Sequence, residues 1–191
     1  NKLGWTKVVG FHTRNIPHAA HEFLQNEALK NERADGILIS PVIGSKRLGD
    51  FETEVIIESY ELILKEKNKE SLRYLLSGFN TYSRYGGPRE AVFTAICRKN
   101  MGCSHFIVGR DHTGVGKYYS ATASQEIFQS MGDIGIKILC FPEISYDENK
   151  FKFKYKNGNK KGLSISGTEI RRRLKNQEQL PTWIIRNDVQ Q

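Results

Sequence analysis

The chain has 191 residues, 38% apolar and 26% charged, which suits one domain with a buried core and a small appendage. Its 29 basic and 21 acidic residues leave a net charge of +8, which points to anionic partners without saying which anion. No apolar run approaches the ~20 residues of a membrane span, no signal peptide is visible, and Cys97, Cys103 and Cys140 lack CxxC or four-ligand spacing, so they read as reduced, mostly buried thiols of a cytoplasmic protein rather than disulfides or a zinc site.

A chain that opens on Asn1 rather than Met reads as a trimmed or excised domain. The first strand is expected over Thr6–Phe11, and the first helix over Pro17–Lys30. Between and across them runs His12-Thr-Arg-Asn-Ile-Pro-His-Ala-Ala-His21. Its two histidines are spaced i, i+3, so one helical turn can aim both at one ligand. A helix start offers unpaired N–H groups and a partial positive charge, so with Arg14 nearby this is a phosphate site. The bland alternative is that His18 caps the helix and His21 packs against the sheet.

A second strand, Gly36–Ser40, leads into the loop Pro41-Val-Ile-Gly-Ser-Lys-Arg-Leu-Gly-Asp50, a candidate lid or pocket wall. A helix over Glu52–Lys65 and a strand over Leu72–Phe79 follow. In Arg84-Tyr-Gly-Gly-Pro-Arg-Glu90, Pro88 starts a helix that runs to Asn100. Arg89 in its first turn opposes the helix dipole unless Glu90 or an anion meets it. The strand Ser104–Val108 is apolar on both sides, as a covered parallel sheet requires. It empties into Gly109-Arg-Asp-His-Thr-Gly-Val-Gly116, whose glycines let backbone approach a ligand and whose Arg110 offers a forked donor, with Asp111 placed to hold it.

A helix over Tyr119–Met131 and a strand over Ile136–Phe141 complete the alternation, which implies a parallel sheet of about five strands with helices on both faces. The division expected is a core over about 1–144 and a hairpin, helix and tail over about 145–191. Phe151-Lys-Phe-Lys-Tyr155 followed by Asn157-Gly158 reads as a hairpin within the lysine-rich 150–161 segment. Lysines among aromatics can bind single strands, but a solvated hairpin face is the commoner meaning. Ser166 and Glu169 fit a capping box that opens a helix carrying Arg171-Arg172-Arg173. Trp183 and Ile184-Ile185 anchor the tail.

Taken in order, the His12–His21 stretch, Pro41-Val-Ile-Gly44 to Asp50, Arg84–Glu90, Arg98-Lys-Asn-Met-Gly-Cys103, Gly109–Gly114 and Ser166-Gly-Thr-Glu-Ile-Arg171 resemble the catalytic domain of the ATP sulfurylase (sulfate adenylyltransferase) family, from about Gly4 to Arg186. The resemblance implies a Rossmann-like nucleotidyltransferase fold of the HxGH superfamily. It implies ATP with Mg²⁺ on its phosphates, sulfate as the attacking group, and adenylyl sulfate and pyrophosphate as products. Thr13, Arg14, Asn15, His18 and His21 become the expected catalytic residues. Those five with His12, Gly109, Arg110, Asp111, His112, Ile144, Ser166, Thr168 and Arg171 become the expected ATP site. His12, Arg14 and Thr113 become the expected sulfate site. No metal site in the protein, no membrane and no nucleic acid are expected, and a homo-oligomer is compatible.

Four positions depart from the family pattern: His12 stands for glutamine, Ser40 for histidine, Gly86 for alanine and Thr113 for alanine. A protonated His12 would bind a dianion better. The changes leave open a nucleotidyltransferase with another oxyanion or a phosphorylated acceptor, or a non-catalytic nucleotide-binding module. The family's N-terminal PUA-like domain is not in this sequence, and there is no kinase P-loop.

Overall fold

The computed structural model describes residues 2–110, 112, 118–156, 163 and 167–190. Five strands build the main sheet: β1 (Val8–Thr13), β2 (Gly36–Pro41), β3 (Tyr74–Leu76), β4 (His105–Val108) and β5 (Lys137–Cys140). Between them run α1 (Ala19–Glu32), α2 (Thr53–Lys67), α3 (Pro88–Asn100) and α4 (Ala123–Glu126). The hairpin strands β6 (Ile144–Asp147) and β7 (Lys152–Tyr155), then α5 (Gly167–Lys175) and α6 (Asn187–Gln190), finish the chain.

The sheet order is β3-β2-β1-β4-β5, parallel throughout, with Val9 opposite Ile37 on one side and His105 on the other. The chain winds outward from β1 to β3, then returns to the middle and winds the other way through β4 and β5. The reversal leaves a crevice between the carboxyl ends of β1 and β4, where open α/β sheets bind ligands.

Two apolar layers cover the sheet. Val9, Phe11, Ile37, Ile39 and Ile107 join Leu29, Tyr60, Ile170, Leu180 and Ile185 in one cluster. Phe106 and Val108 join Ala91, Ala95, Cys103 and Ile136 in the other. Adjacent β4 residues thus serve opposite layers, the two-residue period of a strand buried on both faces. The tail belongs to the first layer, and Trp183 stacks on Tyr146 with ring centroids 4.5 Å apart.

Several elements depart from the sequence reading. The strand expected over Leu72–Phe79 pairs fully only at Tyr74–Leu76, and Phe79 touches Val42 through one isolated bridge. The helix expected over Tyr119–Met131 is one turn, α4, followed by a 3₁₀ turn at Ile127–Gln129. Ser130 Oγ donates to Ile127 O at 2.9 Å, a local bond that offers the backbone an alternative to helix, and Ser124 Oγ ties the turn to His112 O at 3.2 Å. The hairpin turns at 148–151, with Phe151 left-handed (φ 49°), so Phe151-Lys-Phe-Lys-Tyr155 is its second strand. Asn157-Gly158 lies outside the described residues. All three cysteines are free, and only Cys103 is fully buried; Cys140 is exposed on the edge strand β5. Among the described residues no helix is long and apolar enough to cross a membrane.

Candidate active site

The crevice is a cleft of about 430 Å³. His12, Thr13, Arg14 and Asn15 come from the end of β1, His18 and His21 from the start of α1, Gly109, Arg110 and His112 from the turn after β4, Ile144 from β6, and Thr168 and Arg171 from α5. The sequence-predicted residues Asp111, Thr113 and Ser166 lie outside the described residues. Sequence reasoning missed Phe11, Ala20, Leu24, Ile107, Phe141, Pro142, Glu143 and Gly167, which also line the cleft. For Phe141-Pro142 the signal was available, since they follow the carboxyl end of β5.

The two histidines take the capping and packing positions of the bland alternative and also line the cleft. His18 is the N-cap of α1, and its Nδ1 accepts the His21 N–H at 3.4 Å. His21 sets its ring edge-on to Phe11 at 5.1 Å, and the two imidazoles stack at 3.6 Å. Both still face the cleft. Burial, partly offset by Glu22, pushes His18 down to about 4. Burial, with His18 alongside, holds His21 well below the usual imidazole range. Both rings are therefore neutral at pH 7 and carry N–H donors rather than a positive charge. The free first-turn amides expected here are largely engaged, for the Ala19 N–H donates to Ile184 O at 2.9 Å and that of His21 to His18. Few amides are therefore left free at this helix start, and the two imidazoles are the donors that face the cleft.

Arg14 supplies the permanent charge. Its Nη1 donates to the Tyr85 hydroxyl at 2.8 Å and lies 3.5 Å from Asp50, whose carboxylate accepts the Tyr85 O–H at 3.3 Å. Arg47 covers the Tyr85 ring at 4.0 Å. The loop ending at Asp50 is thus a wall behind Arg14. Tyr85 stands in the left-handed region (φ 55°), and Gly87 follows there (φ 54°), where a Cβ would meet the Tyr119 ring at 2.5 Å. Glu90 holds this bend by accepting the N–H groups of Arg84 and Gly86 at 2.8 and 2.9 Å. Of the partners the sequence allowed Arg89, Glu90 is not one: Glu90 is buried under the bend and Arg89 is exposed.

Arg171 reaches in from α5 to donate to Asn15 Oδ1. Gly167 lets that helix approach, since a Cβ there would lie 3.1 Å from Asn15 Nδ2. Burial and the neighbouring Arg14 push Arg171 below its ordinary value, as two guanidiniums at one cleft require. Its neighbours Arg172 and Arg173 instead pair with Glu169 at 2.8 Å each. Thr13 Oγ1 is spent on the Asn15 backbone, accepting its N–H at 3.1 Å, so Thr13 shapes the turn. Arg110 pairs with Glu143 at 2.8 Å at the rim, where Lys156 joins at 3.3 Å.

On the floor, His12 Nδ1 lies 2.8 Å from Arg98 Nη2, and its ring is 5.7 Å from that of His112. Burial, then His112, Arg98 and Arg14, hold His12 well below the usual range. The protonated His12 considered from the sequence is thus replaced by a neutral ring. Burial also lowers His112 to about 4, and its Nε2 meets Thr94 Oγ1 at 3.2 Å.

The lysine–aromatic strand is not a stacking platform along its length. Phe153 and Tyr155 pack against Phe23, Tyr146 and Phe141, while Lys154 pairs with Asp147. A second cleft of about 500 Å³ beside β5 carries Glu126 and Asp133 and no basic side chain, a poor place for an anion.

A profile of the family described as ATP-sulfurylase matches residues 1–191. The sulfate adenylyltransferase of Cenarchaeum symbiosum is 39% identical over 190 residues, covering 97% of this chain and 49% of that protein. That of Staphylothermus marinus is 40% identical over 189 residues, with the same shares covered. A Sorangium cellulosum protein named probable bifunctional SAT/APS kinase 2 is 43% identical over 193 residues, covering 97% of this chain and 32% of that protein. The chain spans about half the length of the sulfate adenylyltransferases it matches. The hexameric APS kinase from Thiobacillus denitrificans superposes with a TM-score of 0.71 at 20% identity, over 99% of this chain and 36% of that one, and so has the same fold.

Proposed function

The chain belongs to the ATP-sulfurylase family, and we propose that it performs sulfate adenylyl transfer, converting ATP and sulfate to adenylyl sulfate and pyrophosphate. The observation that carries this reading is the convergence of Arg14, His18, His21 and Arg171 on one cleft where the sheet order reverses.

A sulfate oxygen forms a bond to the α-phosphorus while the bond from that phosphorus to the bridging oxygen of pyrophosphate breaks in line. Sulfate is already an anion at neutral pH, so no base need remove a proton. What remains for the protein is positioning and stabilisation of charge. Arg14, braced by Tyr85 and Asp50, orients both reacting groups. His18 and His21 donate N–H groups to the oxygens that gain charge as pyrophosphate leaves. Arg171 and Asn15 form the opposite wall, the turn at Gly109–His112 and Ile144 hold the nucleotide, and His12 donates to the sulfate. Mg²⁺ enters on the phosphates of ATP as part of the substrate. Among the described residues no cluster of three or more His, Cys, Asp or Glu could hold a metal ion.

The test is pyrophosphate release from Mg²⁺–ATP with and without sulfate. Sulfate-dependent release that Arg14→Ala abolishes supports the reading. Release that requires another oxyanion, or ATP binding with no release under any acceptor, overturns it.

A further inference from the structure

Arg98 is the largest fully buried side chain among the described residues. It leaves the last turn of α3 and crosses under β1, where Gly10 makes room; a Cβ at Gly10 would lie 3.1 Å from the Arg98 Cβ and Cγ. Its guanidinium lies on the Phe79 ring at 4.4 Å. Nη1 meets Met101 Sδ at 3.6 Å, Nη2 meets His12 Nδ1 at 2.8 Å, and Nε has no partner among the described residues. No carboxylate pairs with it among the described residues. Among the described residues only neutral groups meet this charge, and burying a charge is expensive, so its position calls for an explanation beyond packing.

A guanidinium only donates. His12 Nδ1 must therefore carry the lone pair, which puts the ring proton on Nε2. The other side of the floor is ordered in the same way. Thr94 Oγ1 lies 3.0 Å from Glu90 O and 3.0 Å from Ala91 O, so its proton is used in the helix. It is left to accept the Nε2–H of His112. His12 cannot then exchange tautomers without losing its bond to Arg98.

We infer that Arg98 is a positioning residue for the oxyanion pocket: its N–H on His12 Nδ1 locks His12 in the Nε2–H tautomer and leaves that N–H to donate to a tetrahedral oxyanion in the cleft. The inference rests on the sulfate reading for the occupant and on geometry alone for the lock. It also accounts for His12 where the family pattern has glutamine. A glutamine there would divide its amide in the same sense, with the carbonyl oxygen toward Arg98 and the NH₂ toward the cleft. The buried cation places its field behind the pocket without touching the ligand.

The test is long-range ¹H–¹⁵N NMR of the labelled full chain, with His12→Gln identifying the His12 signals by their loss. The wild type is expected to show Nδ1 unprotonated and Nε2 protonated at pH 7, with the Nε2–H signal moving on titration with sulfate. Arg98→Met is expected to mix the two tautomers and weaken sulfate binding about tenfold or more. A wild-type proton on Nδ1, or unchanged tautomer and sulfate affinity in Arg98→Met, overturns the inference. The wild-type spectrum needs no variant, so a poorly folding Arg98→Met does not block the test. The expected tautomer with no response to sulfate supports the lock and overturns the sulfate reading, which separates the two.

Discussion

Replacing His18 by asparagine separates the two roles that the structure gives this residue. His18 takes the N-cap of α1 with extended backbone (φ −143°, ψ 160°), and its cap bond to the His21 N–H is long at 3.4 Å. Such a bond sits at the low end of the cap range, about 0.5 kcal/mol. Asparagine is among the best N-caps, so His18→Asn retains that contribution, whereas His18→Ala loses it. Both variants lose the 3.6 Å stack on His21, so it cancels when they are compared. For a chain of this length the difference between them is about 1–2 °C in Tm. Turnover follows a different rule. Loss of one preorganised donor to developing charge costs about 10²–10³ in kcat, or about 3–4 kcal/mol. Both variants are expected to show that loss when adenylyl sulfate and pyrophosphate are converted to ATP and read by luminescence. Asparagine at position 18 with turnover within about threefold of wild type would refute the donor role and leave His18 as a cap alone.

Other expectations follow from burial and from the bend at Tyr85. Burial holds both His18 and His112 at about 4 in the folded chain, with Glu22 partly offsetting it for His18; an unfolded imidazole titrates near ~6.5. A lowered folded pKa means that the unfolded state takes up the proton first, so stability present above about pH 6.5 is lost as pH falls toward about 4, by up to about 3 kcal/mol per ring. Tm measured from pH 8 to 4 should therefore begin to drop near pH 6.5, before most carboxylates titrate; a flat Tm between pH 7 and 5 contradicts this. Glu90→Gln replaces one of two acceptors facing the Arg84 and Gly86 N–H groups with a donor. It should cost about 2 kcal/mol of stability and lower kcat by releasing Tyr85 from Arg14, with faster hydrogen exchange at both amides as the check. Unchanged exchange would show that Glu90 does not hold the bend. Ile185→Ala removes a fully buried tail residue beside the carbonyl that ties down the Ala19 N–H. A loss of about 2–4 kcal/mol in denaturant unfolding is expected; less than about 1 kcal/mol would mean that the tail is not part of the core.

The regular parts of the fold were legible because their signals are local. Helix α3 matches the sequence reading at both ends, Pro88 and Asn100, since a proline at the first helical position and the following glycine are strong punctuation. The central strands were legible from their unbroken apolar runs. The site was legible as a set of motifs, yet its wiring was not. That Tyr85 and Asp50 hold Arg14, or that Arg98 lies under His12, depends on contacts between residues 35 to 86 positions apart, which no window along the chain contains. The protonation state of His12 was open in the sequence for a related reason. Its charge is set by burial and by Arg98, His112 and Arg14 arriving from other elements, not by residue type. The helix expected over Tyr119–Met131 stops after one turn, where the Ser130 hydroxyl takes the Ile127 carbonyl and Ser124 ties to His112 from another part of the chain.

The most direct measurement of the central claim is ATP formation from adenylyl sulfate, pyrophosphate and Mg²⁺ by this chain, beside its Arg14→Ala variant. The account predicts ATP production by the wild-type chain and a loss of several orders of magnitude in the variant with its thermal unfolding unchanged. No ATP from a folded chain that still binds nucleotide, or equal production by the variant, would contradict it.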